Sequence, residues 1–221
     1  MTSKVETVLR NIRAAAKDSG RHPEDIRLVA VSKTRDADAI TPLLDQGQRL
    51  FGENKVQEAA GKWPALREKY SDVELHMIGP LQSNKVRQAI RIFDVIETID
   101  RPKLARAIAR ISREENTSCV GYIQINIGQE QQKAGIDPQE ADNFIALCRD
   151  ELKLDIAGLM CIPPAGREAK TYFLRLREIA RRNGLDKLSM GMSSDYETAV
   201  RCGATSVRVG TALFGARTYA N

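Results

Sequence analysis

Apolar positions along this chain switch repeatedly between two spacings. Short apolar or alternating runs stand at 28–31, 50–51, 75–78, 95–96, 120–127, 154–161, 188–190 and 207–209, and read as eight strands. Between them the spacing turns helical. Val56, Ala59, Ala60, Trp63 and Leu66 form one such stripe; Leu104, Ala107, Ile108 and Ile111 form another. Ala141, Phe144, Ile145, Cys148 and Leu152 form a third, and further helices are expected over 36–46, from about 84, over 166–183 and after 196. Ahead of the first strand, Val5, Val8, Leu9, Ile12 and Ala16 share a face, which predicts an extra N-terminal helix over 3–18.

Strands that alternate with helices argue for a parallel sheet. Eight units suggest a single (β/α)8 TIM barrel, for which 221 residues is a sufficient length. The rival is a doubly wound open sheet. No linker divides the chain, so residues 1–221 read as one domain.

Composition narrows the function classes. With 42% hydrophobic and 29% charged residues, a folded globular chain is expected. No apolar run approaches the roughly 18 residues of a membrane span, and the N-terminus has no signal-like apolar stretch. The expected location is therefore cytoplasmic, with no membrane partner. Cys119, Cys148, Cys161 and Cys202 form no CxxC pair, and His22 and His76 are the only histidines, so neither a disulfide framework nor a metal centre is expected. The net charge of +5 raises nucleic-acid binding, but acids and bases alternate along the helices and aromatic residues make up only 5%. No nucleic-acid partner is expected. No apolar helix face is left over, so a monomer is expected.

In such barrels the reactive face lies at the C-terminal ends of the strands. After the first strand stands Ser32-Lys33-Thr34. Lys33 shares parity with Val29 and Val31, so it faces either the barrel mouth, as a usable amine nucleophile, or solvent, as an ordinary loop lysine. Asn54 either caps the helix that follows, with Gln57 as its partner, or faces the mouth as a ligand. His76, within the third strand, is either structural or functional. The last two loops, Gly191-Met192-Ser193-Ser194 and Gly210-Thr211, join glycines and hydroxyls to helix starts. Loops in that place are the usual phosphate site of these barrels. Arg208 alternates against Val207 and Val209. If the valines face the helices, its guanidinium points inward and needs either a buried carboxylate or a ligand.

A lysine, two phosphate-type loops and an interior arginine together suggest pyridoxal 5'-phosphate. The sequence resembles the pyridoxal phosphate homeostasis protein family from about Leu28 to Arg217. The likeness rests on Ala30-Val31-Ser32-Lys33-Thr34, Phe51-Gly52-Glu53-Asn54, the run from His76 to Lys85, Lys133-Ala134-Gly135, Gly158-Leu159-Met160, Leu188 to Ser193, and Val207 to Gly215. Members often carry a proline shortly after the threonine, where this chain has Arg35-Asp36-Ala37.

The resemblance implies a barrel similar to the N-terminal domain of alanine racemase. It implies Lys33 as the cofactor lysine, forming a Schiff base. It implies phosphate contacts from Ser193, Gly210 and Thr211, Arg208 beside the ring nitrogen, and Asn54 close by. His76, Met190 and Gly191 complete the expected cofactor-binding set. The implied role is to hold and supply the cofactor and to keep vitamin B6 and amino-acid pools in balance, with PLP-requiring apoenzymes as possible recipients. The alternative is an amino-acid racemase. Racemases of this type add a β-rich domain and a partner's tyrosine, for which eight units in 221 residues leave no room, so a non-catalytic protein is expected.

Overall fold

The computed structural model describes residues 3–215. Its strands are β1 (Arg27–Val31), β2 (Leu50–Glu53), β3 (Glu74–Met77), β4 (Val95–Ile99), β5 (Val120–Ile125), β6 (Ile156–Cys161), β7 (Lys187–Ser189) and β8 (Ser206–Val209). All pairs are parallel, and β8 returns to β1 to close the barrel, with Leu28 opposite Val207 and Val29 opposite Arg208. The helices are α1 (Lys4–Asp18), α2 (Ala37–Asp45), α3 (Val56–Lys69), α4 (Val86–Ile92), α5 (Pro102–Glu114), α6 (Ala141–Ala146), α7 (Ala169–Arg182), α8 (Tyr196–Arg201) and α9 (Thr211–Phe214). The TIM barrel is therefore formed, and the open sheet is not.

Pleating divides the strand residues between two environments. Leu28, Ala30, Leu75, Met77, Val207 and Val209 join the core between barrel and helices, together with Trp63, Leu104 and Phe173. Burying each large side chain there contributes roughly 1.5–3 kcal/mol. Phe51 and Trp63 pack as a tilted ring pair with centroids 5.0 Å apart. Inside the lumen, Val95, Tyr122 and Met160 form a separate small apolar cluster. Polar groups fill the rest of it: His76, Glu97, Ser189 and Arg208 are all buried.

The N-terminal helix is closed by a capping box. Ser3 Oγ accepts from the Glu6 amide at 3.1 Å, and Glu6 Oε2 accepts from the Ser3 amide at 2.8 Å. The helix buries Val5, Val8, Ile12, Ala15 and Ala16. It is tied to α8 by Asn11 Nδ2 donating to the Tyr196 hydroxyl at 3.0 Å.

Several boundaries differ from the sequence expectation. β4 runs on through Glu97 to Ile99 because ion pairing inside the lumen accommodates the glutamate. β5 stops at Ile125, because the Asn126 side chain turns to the carbonyl of Glu130 at 2.8 Å. The expected helix of 141–152 is α through Ala146 and then widens into a π-type turn at Leu147–Glu151. β6 accordingly begins at Ile156 rather than at 154. No helix of the described residues is long and apolar enough to cross a membrane.

Candidate cofactor site

A cavity of about 540 Å³ opens at the C-terminal end of the barrel, lined by Lys33, Asn54, Ser193, Arg208, Gly210 and Thr211, with Val31 and Ile78 among its apolar walls. Six of the nine expected residues thus meet in one space. The other three stand elsewhere. Met190 is wholly buried in the barrel–helix core. Gly191 makes the turn out of β7 with φ +92°, where a Cβ would run into Ala199, and its carbonyl accepts from the Arg208 amide at 2.9 Å. His76 is 2% exposed and bonded to two carboxylates within the lumen. These three do not line the cavity.

Lys33 lies just past β1, two residues beyond Val31 on the parity of lumen-facing Val29. Its loop is held from behind by α3. Lys62 Nζ donates to the Ser32 carbonyl at 3.0 Å and to the Arg35 carbonyl at 2.8 Å, so one ammonium grips the chain on both sides of Lys33. Ser32 Oγ donates to Glu53 Oε1 at 2.5 Å, and the Thr34 amide donates to Glu58 Oε1 at 2.5 Å. Thr34 sits at φ 61°, a left-handed conformation costly for a β-branched residue. Lys62 completes the cluster by pairing with Glu53 and Glu58, each at 2.9 Å. Burial pushes the Glu53 carboxyl above its ordinary range, against the pull of Lys62 and the Ser32 and Trp63 hydrogen bonds; its Oε2 has no hydrogen-bond partner.

Asn54 is not the helix cap: α3 starts at Val56 behind Lys55, with no side-chain cap. Its backbone passes so close to Gly79 that a Cβ there would overlap it. Thr98 Oγ1 fixes that glycine by donating to its carbonyl at 2.7 Å. Asn54 Oδ1 is buried without a partner at the cavity wall. Leaving an acceptor so costs roughly 1–3 kcal/mol, which a donor on a bound molecule would recover.

The last two loops meet. The Gly210 amide donates to Ser193 Oγ at 3.3 Å, and Asp195 Oδ1 accepts from the Met192 amide at 2.6 Å, shaping the turn before α8. Arg208 is 4% exposed and faces the lumen, since Val207 and Val209 face the helices. Its Nη1 donates to Ser189 Oγ at 2.6 Å, and its Nη2 donates to the Cys161 carbonyl at 2.8 Å. The buried-carboxylate reading of Arg208 holds, since it lies 3.8 Å from the Glu97 carboxylate, and the residue also lines the cavity.

Below Arg208 the lumen carries linked charges. His76 Nδ1 meets Glu97 Oε1 at 2.5 Å, and His76 Nε2 meets Glu74 Oε1 at 2.8 Å. Glu74 also pairs with Arg27. Burial would lower the His76 pKa, but the two carboxylate bonds overcome it and hold it at about 9. Glu74 is held down at about 2, chiefly by the His76 hydrogen bond. Burial would raise Glu97, yet His76, Arg208 and Ser189 together bring it below its ordinary value.

Sequence reasoning missed Glu97, Ser189 and the Lys62 cluster. It also missed Arg35, which lines the cavity, stacks over Phe214 at 5.7 Å and donates to the Gly215 carbonyl at 2.8 Å. Arg35 thereby joins the first loop to the last. A second, larger cleft of about 940 Å³ adjoins the cavity and shares Ile162, Met192 and Ser194 with it.

The donor set fits pyridoxal phosphate. An amine stands at one side, hydroxyl and amide groups at another, a guanidinium at the base and an orphaned acceptor in the wall. The chain belongs to the family described as the alanine racemase N-terminal domain, which it matches over residues 4–218. Within it the relatives are more particular. The pyridoxal phosphate homeostasis protein of Escherichia coli K12 is 43% identical over 217 residues, covering 94% of this chain and 93% of that protein. That of Pseudomonas aeruginosa PAO1 is 39% identical, covering 99% and 96%. PipY of Synechococcus elongatus, solved with pyridoxal phosphate bound, superposes with a TM-score of 0.80 at 37% identity, over 93% of this chain and all of PipY. An alanine racemase from Clostridium difficile shares the fold alone, with a TM-score of 0.69 at 18% identity, over 96% of this chain and 57% of the racemase.

Proposed function

We propose that this protein binds pyridoxal 5'-phosphate through Lys33, holds it reversibly and supplies it, without turning over a substrate of its own. The observation that carries this reading is that Lys33, Arg208 and the Ser193–Gly210 pair line one cavity. Ser193, Gly210 and Thr211 would hold the phosphate, and Arg208 would face the ring nitrogen. When bound, the cofactor supplies an electrophilic aldehyde carbon to a primary amine. The α3 cluster would keep the Lys33 amine aimed at that carbon. Arginine does not readily surrender a proton, so it would leave the ring nitrogen unprotonated and the ring a weak electron sink. Thr211 is exposed and Ile162 is 36% exposed, so the cavity reaches solvent. That suits uptake and release better than the water-excluded proton removal that racemisation needs. The relatives' names support the homeostasis role, and the recipients would be apoenzymes in the cytoplasm, approached by a monomer.

Purified protein incubated with pyridoxal phosphate is expected to show visible absorbance that borohydride removes. Lys33→Ala is expected to lose that signal yet keep weak, phosphate-dependent binding. Complete loss of affinity in Lys33→Ala would contradict the two-loop cradle. Deuterium exchange at Cα of an amino-acid panel is expected to stay at background, and stereo-scrambling exchange would overturn the non-catalytic reading.

A further inference from the structure

Arg208 is the terminus of a chain of groups that runs the length of the lumen: Arg27, Glu74, His76, Glu97, Ser189 and Arg208. The charged members alternate in sign from Arg27, half-exposed at the start of β1, to the cavity base. We infer that Glu97, anchored by His76 and acting through Ser189, is a positioning residue that sets how Arg208 meets the cofactor's ring nitrogen. This inference rests on the pyridoxal phosphate reading of the cavity and deepens it.

Hydrogen-bond chemistry makes the chain directional. A guanidinium only donates, and an ionised carboxylate only accepts. Ser189 stands between one of each, 2.6 Å from Arg208 Nη1 and 2.5 Å from Glu97 Oε2. Its single proton must go to Glu97, which leaves its lone pairs to accept from Arg208. On the other side, His76 lies between two carboxylates, so both ring nitrogens donate and the ring is an imidazolium. Glu97 Oε1 is thus occupied by His76, and only Oε2 is directed at Ser189. Glu97 is wholly buried, so no water competes for either oxygen. With the Cys161 carbonyl taking Nη2, the rotation of the Arg208 guanidinium is fixed from two sides. Its remaining donor directions are therefore set by the lumen rather than by what enters the cavity, a preorganised arrangement.

The test compares two ligands that differ at one atom: pyridoxal phosphate and its 1-deaza analogue, in which CH replaces the ring nitrogen. Both keep the phosphate and the aldehyde. Wild-type protein should favour pyridoxal phosphate by about 10-fold or more, the scale of one hydrogen bond to a charged group. In Glu97→Gln that preference should shrink to about 3-fold or less, with affinity for the deaza analogue unchanged. Ser189→Ala, a smaller change in the same relay, should do the same and serves if Glu97→Gln does not fold. Discrimination kept at the wild-type level in either folded variant would overturn the inference, whatever happens to the melting temperature. A parallel loss of affinity for both ligands would also overturn it, since that marks a structural role. Wild-type protein that binds neither ligand would sink the reading of the site itself.

Discussion

Glu53 and Glu97 are both wholly buried, yet their carboxyl groups shift in opposite directions. Glu53 lies between the barrel and α3; its Oε1 takes Ser32, Lys62 and Trp63, while its Oε2 has no partner. Burial therefore wins and its pKa rises. Glu97 lies in the lumen with both oxygens bonded and with His76 and Arg208 in reach. There the partners win and its pKa falls. Burial alone does not set the sign; the number of satisfied lone pairs and the count of nearby cations do. The two clusters also serve different ends of the cavity. The Glu53 side holds the Lys33 loop, and the Glu97 side holds Arg208.

The largest effect expected from this contrast comes at Glu97. Glu97→Leu would leave His76 and Arg208 as buried cations facing an apolar group, and should cost about 3–5 kcal/mol in chemical denaturation. A cost under 1 kcal/mol would mean that the lumen charges are not coupled.

The next effect is pH-dependent. His76 is raised from 6.5 to about 9, so its contribution should be intact below pH 6.5 and lost as pH climbs through 9. Glu74 is depressed from 4.5 to about 2, so its contribution should hold above pH 4.5 and fade below it. His76→Gln should flatten the alkaline limb of the stability profile, and an unchanged limb would show that the imidazolium is not the cause.

Lys62→Met should cost about 1–3 kcal/mol at neutral pH, because Glu53 loses its cation but keeps the Ser32 and Trp63 hydrogen bonds. Glu53 has a raised folded pKa, so protonation favours its folded form and its penalty grows as pH rises above 4.5. The deficit of Lys62→Met should thus be smaller at pH 5 than at pH 8, a test made by urea titration at both. The smallest effect should come at Thr34. Thr34→Asn keeps the backbone bond to Glu58, suits φ 61° better and should gain about 0.5 kcal/mol.

Much of this was legible in the chain itself. The eight apolar runs mark the barrel, because strands buried on both faces need them. Parity with Val29 made Lys33 a candidate for the mouth, and alternation with Val207 and Val209 made Arg208 a candidate for the interior, but only the folded barrel decided between the alternatives. The partners were harder to see. Glu97 directly follows the Val95-Ile96 pair, and a glutamate there looks like the end of a strand until His76 is brought beside it. Lys62 sits in a helix whose stripe marks only the apolar side, so nothing local shows its ammonium reaching back to Ser32 and Arg35. Asn54 has the sequence context of a cap, and only the close approach of Gly79 shows that its backbone is committed elsewhere. His76 stands out as one of two histidines, but its position one layer below the cavity depends on strand register, which pairs it with Val95 and Gly52. Contacts between residues far apart in sequence are the part that periodicity cannot carry.

Lys33 as the cofactor lysine is tested most directly by peptide mass mapping after borohydride treatment of protein incubated with pyridoxal phosphate. One pyridoxyl phosphate adduct is expected, on the peptide that contains Lys33. An adduct confined to other lysines, with Lys33 unmodified, would contradict it.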